Sequence, residues 1–126
     1  ETFAMTDPLT PTPSALPVDA AQPASVELLT RLDLARDFEA LDGKELRLQL
    51  TTYAPGATGT PHSHDGKVEV VYVLSGAIVE HHRDGRRVAY AAGDSFPANR
   101  DTVHHLQNTG AEPARLLVAM ITDRPA

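Results

Sequence analysis

All six histidines of the chain fall in three tight pairs, His62/His64, His81/His82 and His104/His105. His62 and His64 are two positions apart, so on an extended segment both rings leave the same face. Glu69 follows His64 by five positions, and His104 follows it by forty. Three imidazoles and one carboxylate make a mixed nitrogen and oxygen donor set for one borderline divalent metal: iron, manganese, nickel, cobalt, copper or zinc. An oxygen-only calcium site does not fit these ligands. The other histidines read differently. His105 neighbours His104, so on a strand it faces the opposite way and is a surface or core-lining residue. His81 and His82 stand before the Arg83–Arg86 turn and are expected to be solvated. Ser63 points away from the two histidines that flank it and makes a poor nucleophile.

The chain has no cysteine, which removes disulfides, thiolate zinc sites, iron–sulfur clusters and cysteine nucleophiles together. It carries no glycine-rich phosphate loop, dinucleotide fingerprint or nucleophile elbow. The formal charge is −6. Residues 1–45 hold nine acids against Arg31, Arg36 and Lys44, while residues 46–126 hold eight charges of each sign. No basic stripe offers nucleic acid or an anionic membrane a surface, and no apolar run reaches the ~18 residues of a membrane span. The usual signature of a signal peptide is absent, and the expected location is cytoplasmic, or periplasmic should a leader have been removed ahead of Glu1.

At 126 residues the chain is sized for one domain. Five of its ten prolines lie in the first 24 residues, which lack glycine and any basic side chain. Such a stretch cannot bury enough apolar surface to fold alone. Residues 1–25 are therefore expected to form an extended arm, with 1–4 a tag remnant, and residues 26–126 a single domain. Val26–Phe38 reads as a strand followed by a helical turn. After Asp42-Gly43, Leu46, Leu48, Leu50 and Thr52 alternate with Arg47, Gln49 and Thr51, the pattern of a half-buried strand. Val68–Glu80, Val88–Tyr90, Ser95-Phe96, Val103–Gln107 and Arg115–Ile121 follow, broken by Arg83–Arg86, Ala92–Asp94 and Asn108–Gly110 as turns. Strands at this spacing, without intervening helices, predict an all-β antiparallel barrel or sandwich.

Gly56, His62, His64, Glu69 and Gly76 stand at the separations of the first sequence motif of the cupin family, and Gly93-Asp94, His104 and Asn108 at those of the second. Over roughly residues 43–122 the chain resembles a small, single-domain, conserved-barrel cupin. It departs from the pattern where Asn99 and Asp101 replace the proline and second glycine before His104, so the loop there needs another means of holding its shape. The resemblance implies a jelly-roll barrel with a divalent metal in its mouth, His62, His64, Glu69 and His104 as ligands, and a homodimer.

Four protein ligands around an octahedral metal leave positions for water, substrate or dioxygen. The expected activity is that of a dioxygenase on a chelating diketone, enediol, phenolic or flavonol-like small molecule. The alternatives are an isomerase, decarboxylase or lyase working through an enolate, with Glu69 as base, and a cupin that binds a ligand without turning it over. Tyr53, Tyr72, Phe96 and Gln107 are the candidate walls of the substrate pocket.

Overall fold

The computed structural model describes Ser14–Ala15 and residues 24–125. Among the described residues ten strands follow in chain order: β1 Ser14–Ala15, β2 Ala24–Asp33, β3 Lys44–Tyr53, β4 His62–Ser63, β5 Val68–Ser75, β6 Ala77–His82, β7 Arg87–Ala91, β8 Ser95–Ala98, β9 Val103–Gln107 and β10 Ala114–Asp123. One short 3-10 turn, Glu39–Leu41, follows β2. All pairings are antiparallel and build two sheets, ordered β1-β2-β3-β10-β5-β8 and β4-β9-β6-β7. Of the expected arm, only Ser14–Ala15, paired with β2, and the residues that open β2 are described; the rest lies outside the described residues.

The sheets enclose a core of Tyr53, Val71, Val73, Ile78, Phe96, Leu106, Ala114, Leu116 and Val118. These residues come from β3, β5, β6, β8, β9 and β10, and those of β5 and β10 stand at alternate positions, as side-chain alternation along a strand requires. In β3 the alternation is inverted relative to an ordinary half-buried strand. Glu45, Gln49, Thr51 and Tyr53 are buried, whereas of the alternating leucines Leu46 is exposed, Leu48 half-buried and only Leu50 buried. β5 repeats the inversion at its start, where Glu69 is turned inward while Val68, Val70, Tyr72 and Leu74 are exposed. The barrel therefore carries polar groups inside and an apolar face outside.

Gly76 joins β5 to β6 with φ +76°, and a Cβ there would run into the carbonyl oxygen of Pro113. That close approach lets β5 end against the start of β10. Asn108 is fully buried after β9. Its side chain donates to the carbonyls of Tyr53 (3.0 Å) and Glu112 (2.8 Å) and accepts from Gly110 N–H (2.9 Å). The asparagine of the second motif thus ties three chain segments together. The turn before His104 is held by side chains in place of proline and glycine. Asn99 Oδ1 accepts from Asp101 N–H at 2.9 Å, and Thr102 Oγ1 accepts from Asn99 N–H at 3.0 Å. No non-glycine residue among those described needs a positive φ.

Candidate metal centre

His62 on β4 lies directly opposite His104 on β9, and His104 lies opposite His82 on β6. His64 follows β4 and is set by its own backbone, whose N–H donates to Thr102 O at 3.0 Å. Strand pairing and this loop bond bring the three rings of His62, His64 and His104 edge to face, with centroids 4.8–4.9 Å apart. One ligand nitrogen from each lies within 4.8 Å of the others. His64 and His104 are buried and His62 is half-buried.

The orientation of each ring follows from its Nδ1. The partner is Thr60 O for His62 (2.9 Å), Lys67 O for His64 (2.8 Å) and the Glu80 carboxylate for His104 (2.6 Å). Carbonyl and carboxylate oxygens only accept, so these partners assign the donated proton to Nδ1 and leave the lone pair on Nε2. The Nε2 atoms of His64 and His104 are 3.0 Å apart. Lone pairs at that distance repel one another, and a divalent cation shared by them converts the repulsion into attraction. This donor set fits a borderline divalent metal.

Glu69 projects inward from β5 with Oε2 3.5 Å from His64 Nε2, its side chain 8% exposed. Burial pushes its carboxyl up to about 7; the Glu80 charge adds to that rise, and His104 and Lys67 oppose it. Desolvation lowers His64 to about 4 and also lowers His62, so both imidazoles resist protonation. Tyr53, buried and within reach of the Glu69 charge, is pushed up to about 12 by the same desolvation.

The candidate pocket residues divide. Tyr53 and Phe96 belong to the core, and Phe96 stacks on Tyr90 with centroids 4.2 Å apart. Tyr72 does not line the interior: it follows an inward valine on β5 and stands 45% exposed on the outer face. Gln107 is likewise turned away, because β9 buries His104 and Leu106 and leaves His105 and Gln107 on the other side. There Gln107 Oε1 accepts from His81 Nε2 at 2.9 Å, and His81 stacks on His105 with centroids 4.5 Å apart.

His81 and His82 are not the solvated turn residues expected. Both are half-buried, and His82 Nε2 lies 3.0 Å from Glu80 Oε1. Glu80 is the site residue that the sequence reading passed over. It is 1% exposed, and its oxygens take His104 Nδ1–H, Tyr90 O–H and His82 Nε2. Burial works to raise its carboxyl, but the hydrogen bonds from His104 and Tyr90 hold it below the usual carboxylate value. The available signal was its phase, two residues after the apolar Ile78 and so on the same inward face.

Residues 49–120 match the family model of the cupin domain. The chain belongs to the cupin family. It is 28% identical over 111 residues to germin-like protein 9-3 of Oryza sativa subsp. japonica, covering 85% of this chain and 51% of that one. It is 30% identical over 83 residues to an oxalate-binding protein of Thermotoga maritima, covering 66% and 68%. It spans about half the length of the germin-like relative. Among solved structures, a polyketide cyclase of Streptomyces resistomycificus superposes with a TM-score of 0.71 at 19% identity, over 100% of this chain and 82% of that one. A predicted oxalate decarboxylase of Thermotoga maritima does so at 0.63 and 24% identity, over 88% and 92%. Among the described residues no helix is long and apolar enough to cross a membrane.

Proposed function

We propose that this cupin holds one divalent metal through His62, His64, His104 and Glu69 and uses it to bind a small molecule by two neighbouring oxygens. The observation that carries this reading is the convergence of one ligand atom from each of His62, His64 and His104 within 4.8 Å, with the Nδ1 of each ring held by an oxygen. A redox metal would supply dioxygen chemistry on a bound diketone, enediol, phenolic or flavonol-like chelate, which makes a dioxygenase the first reading. His64 and His104 bury one side of the centre, His62 remains partly accessible, and Glu69 stands beside the imidazoles.

The enolate reading, an isomerase, decarboxylase or lyase, draws support from Glu69. A buried carboxyl with its pKa near 7 is suited to take and return a proton at neutral pH. The oxalate-binding relative supports a small dicarboxylate chelate and a binding role without turnover. The exposed Val68, Val70, Tyr72 and Leu74 support the homodimer, with a second copy covering that face.

Elemental analysis of untagged protein, followed by dioxygen uptake on a diketone and flavonol panel, separates these readings. Stoichiometric metal with uptake is the expected result. Metal without uptake, together with carbonyl-substrate turnover, moves the assignment to enolate chemistry. Tight oxalate binding with no turnover makes the protein a binder, and absence of metal overturns the proposal.

A further inference from the structure

Glu80 is an acid enclosed in the barrel wall, where an ionised carboxylate without partners would be strongly unfavourable. Both of its oxygens are engaged. Oε2 accepts from His104 Nδ1–H at 2.6 Å, while Oε1 accepts from Tyr90 O–H at 3.0 Å and faces His82 Nε2 at 3.0 Å. The three histidines of the centre are anchored unequally. His62 and His64 are each held by a neutral carbonyl two or three residues away in their own loop. His104 is held by a charged group 24 residues away on the neighbouring strand, through the shortest of the three bonds. A charge-assisted bond is stronger and more directional than a neutral one, and a carboxylate behind an imidazole raises the basicity of the opposite nitrogen.

We propose that Glu80 is a positioning residue of the metal centre, fixing the His104 ring with Nε2 turned toward His64 and strengthening that nitrogen as a donor, while Tyr90 and His82 hold Glu80 in place. This rests on the reading that the three histidines bind a metal. Glu80 itself does not touch the centre: it acts on the His104 ring through the Nδ1–H···Oε2 bond.

The test uses the full chain, freed of metal, with cobalt(II) titrated in competition with a chromophoric chelator. Glu80→Gln keeps an oxygen acceptor at nearly the same place but removes the charge, and it is expected to weaken cobalt(II) binding 10- to 100-fold. The cobalt absorption bands should shift while the circular dichroism of the metal-free fold stays unchanged. Tyr90→Phe releases one donor to Oε1 and is expected to produce a smaller change in the same direction. Equal affinity and identical bands in Glu80→Gln and wild type would overturn the role of Glu80. Wild type that binds no cobalt, or binds it unaffected by His64→Ala, would instead overturn the metal-site reading. A second measurement needs no variant: long-range proton–nitrogen correlation spectra of wild type should show His104 protonated at Nδ1. Protonation at Nε2 alone would refute the proposal even if Glu80→Gln failed to fold.

Discussion

The Oε2 atom of Glu69 lies 3.5 Å from Nε2 of His64, and burial moves these two groups in opposite directions, the carboxyl up to about 7 and the imidazole down to about 4. Their order is thereby reversed relative to water, where the carboxyl releases its proton first. On the proposed ligand set, a proton then competes with the metal for the Glu69 carboxylate near neutrality. Unperturbed histidines predict metal loss below about pH 6; with Glu69 as a ligand, its raised carboxyl moves the expected onset upward. Wild-type metal affinity should rise with pH until about 7 and then level. In Glu69→Gln it should be weaker throughout and level at lower pH. Metal titrations between pH 5 and 8 decide this, and identical pH midpoints for the two proteins would contradict it.

The same shift acts on folding. An acid whose folded pKa is raised binds its proton more tightly in the native state, so native stability falls as pH climbs from about 4.5 to about 7 and is flat above. The rise from 4.5 to about 7 corresponds to about 3 kcal/mol at pH 8. His62 and His64, with lowered values, act with the opposite sign and lose stability as pH falls from 6.5. Comparing metal-free wild type with metal-free Glu69→Gln cancels the histidines to first order. Urea unfolding should show Glu69→Gln more stable by up to about 3 kcal/mol at pH 8, with the gap closing toward pH 5. A pH-independent gap would show that the effect is packing, not charge.

How much was legible in the sequence depended on whether a feature is local. His62, His64 and Glu69 lie within eight residues and were grouped by local spacing, while His104, one strand pairing away, joined them through the resemblance to the second cupin motif. Glu80 escaped because its meaning depends on a partner 24 residues off, across the β6–β9 pairing. A period of two tells which residues share a face, not which face turns inward. That is why β3 reads as a half-buried strand, yet its inward side is the one bearing Glu45 and Gln49. Tyr72 and Gln107 were misplaced for the same reason. Asn99 and Asp101 depart from the motif in letters, yet the turn before His104 is closed here by the Asn99 side chain.

Gly76 and Asn108 belong to the motifs yet touch no candidate ligand, and each has a packing explanation. Gly76→Ala would combine a left-handed backbone with a Cβ driven into Pro113, a loss of at least about 2 kcal/mol. Asn108→Ala would leave the carbonyls of Tyr53 and Glu112 and the N–H of Gly110 without their side-chain partner, a loss of roughly 3 kcal/mol. Both variants should melt earlier while the fraction that remains folded binds metal with near wild-type affinity. A large loss of affinity at unchanged stability would assign Asn108 to the centre itself.

The outer face of the six-stranded sheet yields the last prediction. Directly paired residues share a face, so Tyr72 and Leu117, Val70 and Ala119, and Val68 and Ile121 form three apolar rows across β5 and β10, continued on β3 by Leu46 and Leu48 opposite Ile121 and Ala119. The charges that these strands carry on this same face, Arg115, Lys44 and Asp123, lie at strand ends. An apolar centre with charge at its margin is the composition of a protein interface. Val70 is the most exposed of these large apolar side chains at 59%, so a lysine there costs the monomer little. In a dimer closed across this face the same lysine would be desolvated without a partner, costing several kcal/mol in association. Sedimentation equilibrium should find wild type dimeric and Val70→Lys shifted at least 100-fold toward monomer, with the melting temperature of the monomer retained. A dimer unaffected by Val70→Lys would place the second copy elsewhere, and a monomeric wild type would remove the homodimer altogether.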